Sequence, residues 1–255
     1  MRYRPPRTAR HIRPALKMGV GLGRGGAPSW SPNQLPAFLG GLDIAASLAA
    51  GKLWQNAGKT VAATSDTDPV RVATCHYSGV DFTAPSDAAR PLLKITGSKS
   101  YLLFDGTDDE MSSNLGHTWT ALAHGVGVAV QPGADVDYDP PVIAETGTGG
   151  WRLCTQIPGG KWGTYGAVDI PANTTLSNGT DYTLVMNGGN FRLDGAADGT
   201  YAASIGYGAV GTNVKIATDN FRWYIGRIYG AVFSSASLSA GNLTLLETYL
   251  DGLMP

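Results

Sequence analysis

A chain of 255 residues that is 43% hydrophobic and only 15% charged is long enough to bury about 70–75% of its unfolded surface around one core. Its 35 glycines, 15 prolines and many Thr, Val and Tyr suit short strands joined by tight turns, and no apolar run approaches the about 20 residues needed to cross a bilayer as a helix. The net charge of −1 hides a division, because the first 42 residues carry +7 without one acid and the remainder carries −8.

Residues 1–29, "MRYRPPRTARHIRPALKMGVGLGRGGAPS", space prolines among Arg2, Arg4, Arg7, Arg10, Arg13, Lys17 and Arg24 and then run into glycines. No apolar period there can build a core. The expectation is an extended basic arm that grips a partner, and nothing in the segment has the apolar stretch and small-residue cleavage site of a secretory leader. "SPNQLPAFLGG" opens with Ser31 as N-cap and Pro32 at the first helical position, then meets Pro36 and Gly40–Gly41, so at most a turn or two of helix fits. "DIAASLAAG" predicts another short helical turn.

From Val61 onward strand-like runs alternate with turns: "VRVATCHY", "PLLKI", "SYLLFDG", "HGVGVAVQ", "PVIAET", "WRLCTQI", "DYTLVMNGG", "FRLDG", "VKIAT" and "FRWYIGRIYGAVFS". Strands without long helices between them predict an all-β, antiparallel sandwich or barrel. One amphipathic helix closes the chain: after Ser239, Leu243, Leu246, Tyr249, Leu250 and Leu253 recur at three- and four-residue spacing and form one face that should lie on the sandwich as a lid. Cys75 and Cys154 stand 79 residues apart in strand-like contexts, outside any short zinc motif. Two buried free thiols are the first expectation and one disulfide the second.

Three segments resemble a known family in order and spacing: "KLWQNAGKTVAATSDTDPVRVATCHYSGVDFTAPSDAARPLLK", "LLFDGTDDEM" and "WYIGRIYGAVFSSASLSAGNLTLLETYLDG". They are similar to the concanavalin A-like, or laminin G-like, lectin and glucanase jelly rolls of bacterial and tailed-phage proteins. The resemblance implies a concanavalin A-like jelly-roll β-sandwich over residues 30–255, with the arm of residues 1–29 before it and the terminal helix after it. The arm has no counterpart in that family. An arm followed by a compact jelly roll resembles instead the decoration proteins and fibres of tailed-phage virions. That second likeness implies a non-enzymatic virion protein, assembled in the host cytoplasm without signal peptide or transmembrane segment. Its partners would be capsid or tail proteins bound through the arm, in a homo-oligomer with a trimer favoured and a host glycan as a second ligand. No membrane is involved, and nucleic acid is disfavoured: the arm has no base-stacking ring beyond Tyr3 and the body is acidic. The alternative reading is a carbohydrate-binding module or glycoside hydrolase acting on host-surface polysaccharide.

Several stretches qualify as sites. Glycosidases on this jelly roll resemble one another in a Glu-x-Asp-x-x-Glu strand, whereas Glu110, Glu145 and Glu247 do not stand in that spacing, so no catalytic residue is expected. A sugar would need aromatic faces beside polar groups: Trp151, Trp162 and Tyr165 among glycines, and Tyr201 and Tyr207 with Asp198, supply them. The alternative is that Trp151 and Trp162 cover a sandwich edge or a subunit contact. No cofactor is implied beyond a Ca²⁺ of the kind laminin G-like sandwiches carry. Asp135, Asp137 and Asp139 are its first candidates, Asp108 and Asp109 its second, and a solvated acidic turn running into Pro140–Pro141 is the other reading. Asp105–Gly106 with Asp108 reads as turn chemistry that ends an apolar strand.

Overall fold

The computed structural model describes residues 30–117, 124–134, 140–145, 151–157, 160–165, 169–201 and 212–255. In chain order the strands are β1 (Phe38–Asp43), β2 (Leu53–Trp54), β3 (Val72–Thr74), β4 (Asp81–Thr83), β5 (Leu92–Thr96), β6 (Lys99–Asp105), β7 (Met111–Asn114), β8 (Gly125–Pro132) and β9 (Pro141–Glu145). There follow β10 (Arg152–Ile157), β11 (Lys161–Tyr165), β12 (Asp169–Pro171), β13 (Tyr182–Asn187), β14 (Asn190–Leu193), β15 (Ala196–Thr200), β16 (Asn213–Ile216) and β17 (Ile225–Ser234). Helix α1 (Ile44–Ala49) follows β1, and α2 (Ala240–Leu253) closes the chain.

Two antiparallel sheets form a sandwich of the jelly-roll class. The first runs β15-β14-β13-β8-β17-β6-β5, with β1 also paired to β17, and the second runs β12-β11-β10-β9-β16-β7-β4-β3-β2. Each of the ten strand-like runs read from the sequence contains a strand. Between the sheets, period-two alternation delivers the core: Val126, Val128 and Val130 of β8 and Leu184 and Met186 of β13 meet Phe82, Leu153, Val214 and Ile216 from the second sheet. In β17 a bulge between Ile228 and Gly230 shifts the alternation, so Ile228, Ala231 and Phe233 all point inward.

The first sheet is buried on its other face as well. There α2 lays Leu243, Leu246 and Leu250 against Tyr101, Ala129, Val185, Tyr229 and Val232, forming a second core. Glycines clear the floor for it. A Cβ on Gly127 would stand 2.7 Å from Leu250 Cδ1, and one on Gly230 2.5 Å from Leu253 Cδ1. Thus "HGVGVAVQ" reads apolar on one face and flat on the other because a helix sits on the flat side. Ser239 caps α2 by accepting from Asn242 N at 3.4 Å, and the Tyr249 hydroxyl donates to Asp43, whose other oxygen caps α1 through Ala46 N.

The start of the body departs from the sequence reading. A single 3₁₀ turn, Pro32–Gln34, follows Ser31, whose hydroxyl bonds Asn33 instead of capping. Next comes β1, a strand built across Gly40–Gly41. A Cβ on Gly41 would lie 2.1 Å from Ala231 O, so this glycine admits β1 to the side of β17 and does not break the chain. Cys75 and Cys154 are both buried and neither is in a disulfide. No described helix is long and apolar enough to cross a membrane.

Candidate functional site

The aromatic residues marked by the sequence divide into a buried set and a surface set. Trp162 is fully buried on β11, and its indole Nε1 donates to Asp198 Oδ2 at 2.6 Å. Asp198 is itself 6% exposed and accepts from Thr174 Oγ1 at 2.7 Å. The Trp162 ring meets Phe191 edge-on at 5.1 Å, and Phe191 in turn meets Tyr201 at 4.9 Å. Trp162, Asp198 and Tyr201 do converge, as expected of a site, but as a sealed cluster where β11 meets the β14–β15 edge. Burial pushes the Tyr201 phenol up to about 12. Trp151 is also fully buried and stacks on His124 at 5.3 Å. A ring enclosed on both faces has none to offer a sugar, so Trp151, Trp162 and Tyr201 build the sandwich and Asp198 satisfies an indole N–H. Tyr207, Asp135, Asp137 and Asp139 lie outside the described residues, as do Arg2, Arg4, Arg7, Arg10, Arg13, Lys17 and Arg24.

Tyr165 has the opposite fate. On β11 Trp162 and Thr164 point inward, so Tyr165 is turned out onto the second sheet's outer face. Register aligns Tyr165 with Arg152 of β10, Arg152 with Ala144 of β9, and Ala144 with Lys215 of β16, in one row across that face. The Arg152 guanidinium lies 4.6 Å from the centre of the Tyr165 ring, and that of Arg222 lies 5.6 Å from it. Stacking of this kind holds each guanidinium against the ring face.

The loop between β16 and β17, "ATDNFRWY", holds the other half of the platform. Asp219, whose side chain is 3% exposed, pairs with Arg152 Nε at 2.8 Å. Its other oxygen accepts from Phe221 N and Arg222 N, each at 2.9 Å. Thr218 accepts from Asn220 N and donates to Arg222 O, while Asn220 takes φ +80°, a conformation asparagine tolerates. One buried carboxylate therefore fixes both a cation and the loop tip. At that tip Phe221 is 79% exposed. Beside it Lys215 bridges Glu110 Oε1 at 2.8 Å and Asn220 Oδ1 at 2.5 Å. The composition is two rings, two stacked guanidiniums and an ammonium, held by two acids with one surplus positive charge.

The sequence reading found Tyr165 and missed Arg152, Asp219, Phe221 and Arg222. The signal was present in part. "KWGTY" alternates as a strand, which separates inward Trp162 from outward Tyr165, but it is not among the strand-like runs read from the sequence, where its rings count only as aromatic faces among glycines. Phe221 was absorbed into the strand run that follows it.

The acidic stretch after β6 works as the turn it resembles. Asp105 Oδ1 accepts from Thr107 N at 2.8 Å, Asp109 Oδ2 accepts from Asp105 N at 2.9 Å, and Gly106 takes φ +77°. The three carboxylates Asp105, Asp108 and Asp109 offer oxygens within 4.8 Å of one another. Burial first, and the neighbouring Asp105 charge next, push Asp109 up to about 7. Glu110 turns away to Lys215.

No family model and no curated protein matches this sequence. Among solved structures it is similar to domain 4 of AbnA, an extracellular arabinanase of Geobacillus stearothermophilus, in complex with arabinotriose: 9% identity, TM-score 0.57, covering 84% of this chain and all of that domain. It is also similar to the Trypanosoma rangeli sialidase in complex with 2,3-difluorosialic acid, at 14% identity and TM-score 0.52, covering 80% of this chain. Of that sialidase the chain spans about a third of the length, 33%. At such identities the likeness shows a shared β-sandwich fold.

Proposed function

We propose that the protein is a carbohydrate-recognising sandwich that binds a saccharide, without cleaving it, on the outer face of its second sheet. The observation that carries this reading is Phe221, a ring 79% exposed at the tip of a loop pinned by Asp219 and next in the chain to Arg222, which stacks on Tyr165. Rings give C–H faces of a pyranose or furanose an apolar platform, and fork-shaped donors take hydroxyls or a carboxylate in pairs. The surplus positive charge favours an acidic saccharide. Support also comes from the AbnA domain, a similar fold seen in complex with arabinotriose. The acids of the platform are engaged in positioning: Asp219 holds Arg152 and Glu110 holds Lys215, so the reading assigns neither as acid or nucleophile.

A glycan array probed with the full chain tests it. Binding to a saccharide set that is lost in both Phe221→Ala and Tyr165→Ala, with folding retained, is the expected outcome. Silence across acidic and neutral glycans, or binding that ignores both substitutions, sinks the assignment. The setting in which the sandwich is displayed is a separate proposal: a virion gripped by the arm of residues 1–29, carried by the +7 and −8 charge division. Deleting residues 1–27 should then abolish incorporation into particles, and normal incorporation would end that idea.

A further inference from the structure

On the opposite side of the molecule, a cleft of about 540 Å³ opens between α2 and the outer face of the β13–β14 hairpin. Its walls are unequal in charge: Asp181, Asp194, Glu247 and Asp251 face one arginine, Arg192. Arg192 is spent on Glu247, with Nε 2.5 Å from Oε1 and a second nitrogen 3.1 Å from Oε2. The last turn of α2, whose carbonyl dipoles carry partial negative charge, lies at the same rim.

Hydrogen-bond polarity points the same way as the charge. Thr244 and Thr248, which stand on the helix wall, donate their hydroxyl protons to Ala240 O at 3.1 Å and Thr244 O at 2.8 Å. They turn lone pairs toward the cleft. Asp181 accepts from Tyr229 Oη and the Gln131 amide, each at 2.9 Å, through one oxygen. At the floor, Thr183 is 1% exposed and its Oγ1 has no hydrogen-bond partner, although its backbone N–H is satisfied by Asp194. A buried hydroxyl left unmade costs about 1–3 kcal/mol, so its presence in the wall of a polar cavity asks for a ligand.

We propose that this cleft binds a polyatomic organic cation, a guanidinium or primary ammonium group, with Thr183 Oγ1 and Asp251 as its acceptors. A single metal ion fits poorly. Among the described residues, Asp105, Asp108 and Asp109 are the one carboxylate group close enough to share an ion, and no three acids of the cleft converge in that way. The volume holds many heavy atoms, and apart from Arg192 the polar side chains of the lining offer acceptors where the cation would donate. Two sources carry such a group: a free amine such as a polyamine, or an arginine of the basic segment in residues 1–29 of this chain or of a second copy. The site stands on the first sheet, apart from the saccharide platform, and does not depend on it.

Agmatine, which carries both a guanidinium and an ammonium, is the probe. Titrated into the full chain and followed by amide chemical shifts and melting temperature, it should saturate, whereas potassium chloride at equal ionic strength should not reproduce the response. Thr183→Val separates binding from folding, because a hydroxyl with no partner leaves nothing to break and its removal lifts the cost of leaving it unmade: the variant should melt at or above the wild-type temperature and bind agmatine about tenfold more weakly. Asp251→Asn should weaken binding in the same direction. An unsaturable response, a response untouched by Thr183→Val, or a lower melting temperature of Thr183→Val without ligand would each overturn the site. Replacing Arg2, Arg4, Arg7, Arg10 and Arg13 with Gln in the full chain identifies the source. Tighter agmatine binding marks the arm as resident and unchanged binding marks a free amine, and either keeps the site.

Discussion

The two outer faces of the sandwich are built from opposite materials. On the first sheet Gly127, Ala129 and Gly230 lower the floor so that Leu243, Leu246 and Leu250 of α2 can dock, and that face becomes interior. On the second sheet the corresponding row presents Tyr165, Arg152 and Lys215, held by Asp219 and Glu110. Covering a face with a helix removes apolar area from water at about 25 cal/mol per Å². Leaving it open with pinned charges forgoes that gain and keeps donors oriented. The contrast teaches where to look for function in a sandwich: on the face where buried acids position surface cations, and away from the face where small residues make way for a helix.

Cutting into the covered face should have the largest effect. Leu246 is fully buried in the second core, so Leu246→Ala should cost about 3 kcal/mol through lost burial and the cavity left behind, read as a lower urea midpoint. A loss below about 1 kcal/mol would mean that α2 is an ornament and the first sheet is stable bare.

An intermediate effect is expected at the crossing between sheets, where β6 passes into β7 through the Asp109 turn. Asp109 is raised to about 7 in the fold, above the ordinary carboxylate value of 3.8. The folded state thus holds this proton more tightly than the unfolded chain. Its contribution is fully present below the unfolded value, declines as pH rises through the window between the two, and is absent above about 7. Asp109→Asn should flatten the stability difference between about pH 4.5 and about pH 7.5 in urea titrations, and an unchanged pH slope would assign that slope to other groups.

The smallest effect on stability belongs to the open face. Phe221 is exposed, so Phe221→Ala should move unfolding by no more than about 0.5 kcal/mol. A larger loss would show that the ring packs as part of the fold, which would remove the distinction between the two faces at this point.

Much of the architecture was legible. Strand runs such as "SYLLFDG" and "DYTLVMNGG" carry their own β-branched and aromatic content, and the leucine spacing of α2 announced a single buried face. Strands β7, β12 and β15, "MSSN", "DIP" and "AADGT", were not legible, because they are short and polar and exist through pairing to neighbours. For the site the difficulty was sharper. Trp151 and Trp162 sit among glycines exactly as exposed sugar-binding rings would, and composition does not say which side of a strand a residue faces.

By itself the sequence determined the class of fold, the closing helix, the turn chemistry at Asp105–Gly106 and the division into a basic segment and an acidic body, because each depends on residues near one another in the chain. Only the tertiary structure decided which aromatic rings are interior, that Asp219 on one loop meets Arg152 on a distant strand, and that an acidic cleft opens beneath α2 around Thr183. Those outcomes depend on strand register across the sheets, where a shift of one residue sends every side chain to the other face.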